Sequence, residues 1–244
     1  MARVARTAPI TNLLLDRLPA KDRAHLLARC ERVTLTFPRV LAEPGQVIRH
    51  VYFPTSSFIS LLTDKDARVS LQVALTGNEG MYGVGIALGV GFSRAHAMVQ
   101  GSGAAWRIGA EAFCGELARS PALREQVFRY VYVLMSQLAQ TAACVCFHVV
   151  EQRLARWLLM TADRAHSPTF PITHKFLAYV LGVRRERITI AAIALERRKL
   201  IAKKRGLMTI LDREGLERAS CTCYQSDRSA YHKIFGKPGG ARHS

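Results

Sequence analysis

Residues 174–205 obey a positional grammar that few folds satisfy. From His174, a small residue falls at Ala178, a glycine at Gly182 and a branched apolar residue at Ile188. The small alanine lets two helices approach, and the glycine supplies the positive φ of a tight turn. The isoleucine plugs the gap between the helices, with Leu177, Leu181 and Val183 completing the inward set. Thr173 is placed to cap the first helix. The spacing therefore predicts two short helices joined by a turn, the second over roughly 184–198. "LIAKKRGLMTILD" follows it and reads as two short strands around a Lys203-Lys204-Arg205-Gly206 turn, a basic wing.

The same stretch raises a question of charge. "FLAYVLGVRRERITIAAIALERRKLI", residues 176–201, holds five Arg and one Lys among regularly spaced apolar residues. The whole chain of 244 residues carries a net charge of +17. The excess is uneven: residues 1–150 carry 16 Lys/Arg and 10 Asp/Glu, residues 151–244 carry 19 and 8. Within 171–211 there are 10 Lys/Arg against 2 Glu. Such an excess on one segment points to an anionic partner, with double-stranded DNA first. The motif points Arg184, Arg185, Glu186, Thr189 and Ile190 outward from the half of the second helix that enters the major groove. Lys175, Lys203, Lys204 and Arg205 lie where phosphates would be met.

Upstream, the texture is different. "NLLLDRLPAKDRAHLLARCER" reads as helix with a break at Leu18-Pro19. From about 33 to 110, short β-rich runs alternate with Pro, Gly, Asn and Asp turns, as in an antiparallel barrel or sandwich. A long helix follows Ser120-Pro121, a cap and first turn. On it Val127, Val131, Leu134, Leu138, Thr141 and Val145 are spaced 4-3-4-3-4, a heptad seam suited to a homodimer. This leaves Phe128 and Met135 to face the barrel; packing of the seam on the barrel instead stays open. Tyr130–Val150 is charge-free and long enough to span a bilayer, but its Ser136, Gln137, Gln140, Thr141 and His148 argue against a membrane. A further helix runs to about 166, "SPTFP" reads as a linker, and the polar end from about 225 reads as a flexible tail.

These residues together resemble the Crp/Fnr family of bacterial transcription regulators, those related to the cyclic-AMP receptor protein and the fumarate–nitrate regulator. "PGQVIRHVYFP", the long helix and "ITHKFLAYVLGVRRERITIAAIALERRKLI" with its wing carry the likeness, from about 12 to 220. The resemblance implies an α+β chain: a cyclic-nucleotide-binding-type β-roll (jelly roll) effector domain over 12–120, a dimerisation helix over 121–147, and a winged helix-turn-helix DNA-binding domain over 148–224, with 225–244 as tail. It implies a cytoplasmic homodimer that regulates transcription from a roughly palindromic operator, with Arg185 and Glu186 on base edges. A further Arg of the family falls at Ile190 here, and Thr173 aligns with a phosphate-contacting position of the family.

The effector signature departs from the family. Gly83 stands and Arg94 aligns with the phosphate-binding arginine, but Val84 replaces the ribose-binding Glu and Ala95 the hydroxyl. Cyclic nucleotide is therefore not expected, nor haem. An iron–sulfur cluster is not expected either, since Cys30 stands alone near the N-terminus. Cys144 and His148 share a helix face at i and i+4, and Cys221-x-Cys223 is a second pair; neither is a metal site by itself. The reading is thus no metal and no cofactor. No catalytic constellation stands out, so no enzyme is expected. Two other readings stay open. In one, the β domain is an effector-free scaffold that holds the dimer or contacts RNA polymerase. In the other, a small-ligand or haem sensor carries a basic tail that binds polyanions without sequence preference.

Overall fold

The computed structural model describes residues 11–66 and 69–236. Two short helices, α1 (Leu13–Asp16) and α2 (Ala20–Ala28), open the chain, with Pro19 between them. Asn12 fixes this start. Its Oδ1 accepts from the amides of Leu14 and Leu15, while its Nδ2 donates to the carbonyls of Pro54 and Gly80, both at 2.8 Å.

Seven strands follow: β1 (Glu31–Leu35), β2 (Val40–Ala42), β3 (His50–Pro54), β4 (Phe58–Asp66), β5 (Val69–Thr76), β6 (His96–Gly101) and β7 (Gly103–Gly109). They form two antiparallel sheets, ordered β1-β7-β3 and β2-β6-β4-β5. Inward side chains such as Val51, Phe53, Ile59, Val99 and Ile108 fill the space between them. The antiparallel barrel or sandwich expected from about 33 to 110 takes this form. This β unit is closed by α3 (Ala110–Arg119), in a stretch to which the sequence reading assigned no element.

The long helix α4 spans Pro121–Phe147, and Ser120 Oγ accepts from the Leu123 amide as expected of its cap. One face, with Leu123, Val127, Tyr130, Val133 and Leu134, is buried against the roll. Tyr130 Oη sits 2.9 Å from Thr76 Oγ1, and its ring lies so close to Gly80 that a Cβ there would be 2.1 Å from it. By length and composition α4 could cross a bilayer, but that buried face belongs to the protein core.

This burial corrects two positions of the predicted seam. Val127 and Leu134 point into their own chain and Val131 and Thr141 are half-buried, while Leu138 and Val145 are exposed. The exposed apolar stripe is one residue further on: Phe128, Tyr132 and Met135 with Ala139, Ala142 and Cys146, again spaced 4-3-4-3-4. Phe128 and Met135 face outward, the reverse of the expectation.

The C-terminal part holds α5 (Val150–Ala165), β8 (Thr169–Pro171), α6 (His174–Leu181), α7 (Arg185–Arg197), β9 (Ile201–Lys204), β10 (Leu207–Ile210), α8 (Arg213–Ala219) and α9 (Cys223–Phe235). "SPTFP" is more than a linker, because β8 pairs with β10 and makes the wing a three-stranded sheet, β8-β10-β9. The expected tail is also corrected. Over 225–235 the chain is helical and packs on α4, burying Tyr224, Tyr231 and Phe235; the rest of the tail, 237–244, lies outside the described residues. The C-terminal core, built on Leu154, Leu158, Leu177, Ile188, Leu195 and Met208, also takes in Leu62 and Met98 from the roll.

Candidate nucleic-acid interface

The grammar of residues 174–188 is realised residue by residue. Thr173 Oγ1 accepts from the Phe176 amide at 3.1 Å, capping α6. Gly182 ends the helix with φ +63. Ile188, Leu177, Ala178 and Leu181 are buried between the helices. Sealing that face leaves the opposite side of α7 to solvent. Arg185, Glu186 and Arg187 are exposed in its first turn, Arg184 is the N-cap residue, and Ile190 is 69% exposed one turn later. Lys175 is exposed at the start of α6.

Thr189 is less free than its neighbours. Its hydroxyl donates to the Arg185 carbonyl at 3.2 Å and lies 3.1 Å from His174 Nδ1. With the hydroxyl proton used, the geometry suits a neutral His174 that donates from Nδ1. Burial lowers the His174 pKa below its ordinary value, and Lys203 and Arg185 push the same way against Glu196.

In the wing, Lys204 faces Leu207 across a two-residue turn, Arg205-Gly206, at φ +50 and φ +81. That pair of positive φ values is the turn that matches strand twist. Lys203, Lys204 and Arg205 are all exposed beside α7.

Three cations that composition counts toward this face are internal. Arg153 donates to the Leu181 carbonyl and so closes the end of α6; Arg156 pairs with Asp227 and Arg164 with Glu79, each at 2.6 Å. Sequence reasoning missed these roles. The one available signal was their position on the inward half of a strongly amphipathic helix.

The weak effector residues are separated in character. Gly83 is buried at φ +93, and a Cβ there would lie 3.1 Å from Val51 Cγ2; Arg94 is exposed.

The four residues of the two Cys/His pairs do come together. Cys144 and His148 at the end of α4 meet Cys221 and Cys223 at the start of α9, with all four ligand atoms within 4.8 Å of one another. Their proximity withdraws the basis on which metal was discounted, that each pair stands alone. Cys144 is pushed down to about 5, first by its hydrogen bond with Cys221, while burial raises Cys223.

Comparison with known proteins agrees with this geometry. Residues 152–219 match the family described as Crp-like helix-turn-helix domain. Among solved structures, FixK2 from Bradyrhizobium japonicum superposes with a TM-score of 0.66 at 11% identity, covering 79% of this chain and 98% of that one. A CRP/FNR-family transcriptional regulator from Thermus thermophilus gives 0.65 at 18% identity, with 78% and 98% covered. The c-di-GMP-responsive global regulator CLP of Xanthomonas campestris gives 0.64 at 16%, with 79% and 99% covered. At such identities the likeness is one of fold. A search of curated proteins finds no significant match.

The chain is a DNA-binding transcription regulator. Residues 152–219 belong to the Crp-like helix-turn-helix domain family, and the β-roll joined to them has the fold of those solved regulators.

Proposed function

We propose that the protein acts as a homodimer that reads a roughly palindromic operator, with Arg185 and Glu186 of each α7 on base edges. The observation that carries this is the exposure of Arg185, Glu186 and Ile190 on one side of a helix whose other side is sealed at Ile188. Arg suits the O6 and N7 of guanine, and Glu the amino group of cytosine. Ile190 suits the thymine methyl. Thr173, Lys175, Arg184 and the wing cations Lys203, Lys204 and Arg205 serve the phosphates, which orient the protein without specifying sequence. Thr189 acts through its hydrogen bonds, holding α7 against His174.

In this reading α4 is the dimerisation helix, joined through its exposed stripe around Phe128, Tyr132 and Met135. The roll and the C-terminal domain divide at about 120 and 148, with α9 returning to α4. Two-fold symmetry then sets the half-sites about one helical turn apart. The β-roll works without cyclic nucleotide, because Val84 accepts no hydrogen bond from a ribose. The protein works in the cytoplasm and catalyses no reaction.

Selection of bound duplexes from a random pool tests this. A two-fold motif with a guanine–cytosine step in each half-site is expected. Binding that fades uniformly with salt, with no preferred sequence, would instead favour the polyanion-binding reading.

A further inference from the structure

Cys144 and His148 occupy the last turn and the C-cap of α4. Cys221 lies between α8 and α9, and Cys223 begins α9. Cys144 Sγ is 3.5 Å from Cys221 Sγ, and Cys223 Sγ is 3.4 Å from His148 Nδ1. A tetrahedral zinc ion, with Zn–S of about 2.3 Å and Zn–N of about 2.0–2.1 Å, holds such atoms about 3.5–3.8 Å apart. Two of the separations thus already stand near that spacing, and all four ligand atoms lie within 4.8 Å of one another.

We propose that Cys144, His148, Cys221 and Cys223 bind one zinc ion that fastens the end of α4 to the start of α9. Three sulfurs and one imidazole nitrogen form a closed set of four, the composition of a structural site with no position left for substrate. Thiolate softness selects zinc over magnesium or calcium. A polynuclear iron–sulfur cluster divides its ligands among two or more irons and so needs some of them farther apart than the 4.8 Å that bounds all four atoms here.

The surroundings fit a charged centre. The three cysteines are buried together, while His148 is half-buried, leaving an approach for the ion. Gln140 Nε2 donates to Cys223 Sγ at 2.9 Å, an outer hydrogen bond of the kind that orients a metal thiolate. Three thiolates and one Zn²⁺ leave a net charge of −1. The guanidinium of Arg156 interacts electrostatically with both Cys144 and Cys221, and that of Arg153 does the same. Binding releases the thiol protons to solvent; no oxidant or reductant is involved.

Position gives the site its consequence. The chain turns from α4 into α5 at His148–Val149, the entry to the helix-turn-helix domain. The ion therefore fixes the angle at which that domain leaves the long helix, by tying both ends of the domain to one point.

The test uses the reduced full-length protein with zinc or cobalt(II) alone. One zinc per chain by mass spectrometry of metals is expected after dialysis. Cobalt is expected to give tetrahedral visible bands and thiolate-to-metal charge-transfer absorption. Cys221→Ser and Cys223→Ser should abolish stoichiometric uptake, while Cys30→Ser, Cys114→Ser and Cys146→Ser keep it. Gln140→Ala should weaken uptake about 10–100-fold. Should the serine variants fail to fold, the cobalt spectrum of the unaltered chain decides. Octahedral or absent bands there would overturn the proposal. So would a Cys144–Cys221 disulfide whose reduction restores no metal uptake, leaving a dithiol pair. Neither readout depends on DNA, so the site stands or falls apart from the operator reading.

Discussion

Arg156 Nη2 donates to Asp227 Oδ2 at 2.6 Å, and both side chains are more than nine-tenths buried. This ion pair joins α5 of the helix-turn-helix domain to α9, which in turn packs on α4. Burial raises the Asp227 carboxyl above its ordinary pKa while the Arg156 charge draws it down. Neither partner reaches water, so removing one leaves a bare buried charge. Asp227→Ala should cost about 3–5 kcal/mol. The double replacement Arg156→Met/Asp227→Leu should recover most of that. Denaturant unfolding of the two variants checks it, and equal losses in both would show that the pair does not account for the effect.

The stripe on α4 gives a second prediction, with a built-in contrast. Met135 is 61% exposed and Leu134 7% exposed, one residue apart. Met135→Glu should leave the melting temperature of the chain nearly unchanged but yield monomer in sedimentation, with loss of operator affinity. Leu134→Glu should instead destabilise the chain itself, because the charge enters the core beside Val127 and Tyr130. A Met135→Glu variant that stays dimeric would move the interface off this stripe.

Why the predicted seam takes in two buried residues, Val127 and Leu134, follows from the helix itself. Two neighbouring stripes of α4, one through Val127 and Leu134 and one through Phe128 and Met135, keep the same 4-3-4-3-4 spacing. Periodicity cannot choose between them; only the roll beneath the helix does. The helix-turn-helix was legible because its determinants are local, a cap at Thr173, a turn at Gly182 and a plug at Ile188. The metal cluster was not, because His148 and Cys223 are 75 residues apart and the packing of α9 on α4 joins them. The helix in the expected tail had a faint signal, Tyr224, Tyr231 and Phe235 at helical spacing, masked by the polar residues between them.

His174 supplies a pH-dependent prediction. Burial lowers its pKa in the folded chain, and the nearby Lys203 and Arg185 lower it further, against Glu196. The unfolded chain therefore binds a proton more readily than the folded one. Stability from this group is complete above the ordinary histidine value of about 6.5 and falls as pH drops from there toward the folded pKa. His174→Gln, which retains a donor for Thr189, should flatten the part of the stability profile between about pH 7 and 5 that this residue contributes. A profile of unchanged slope would place the titrating group elsewhere.

Base reading separates three residues by what each substitution changes. Arg185 is exposed in the first turn of α7, so Arg185→Ala should cost about 1–3 kcal/mol on the preferred operator and relax the choice at one base pair. Lys204 sits at the wing turn, so Lys204→Ala should weaken all sequences alike and lower the salt slope by about one. Ile190 is the informative case. At 69% exposure it does not pack beneath the wing, so Ile190→Ala should leave the melting temperature in place. It should lower the preference for thymine over uracil at one position, since the two bases differ there only by the methyl that an apolar side chain can touch. Competition binding on thymine- and uracil-substituted operators measures this. Equal affinities of wild type for the two duplexes would leave Arg185 and Glu186 as the base-reading pair and Ile190 outside the contact.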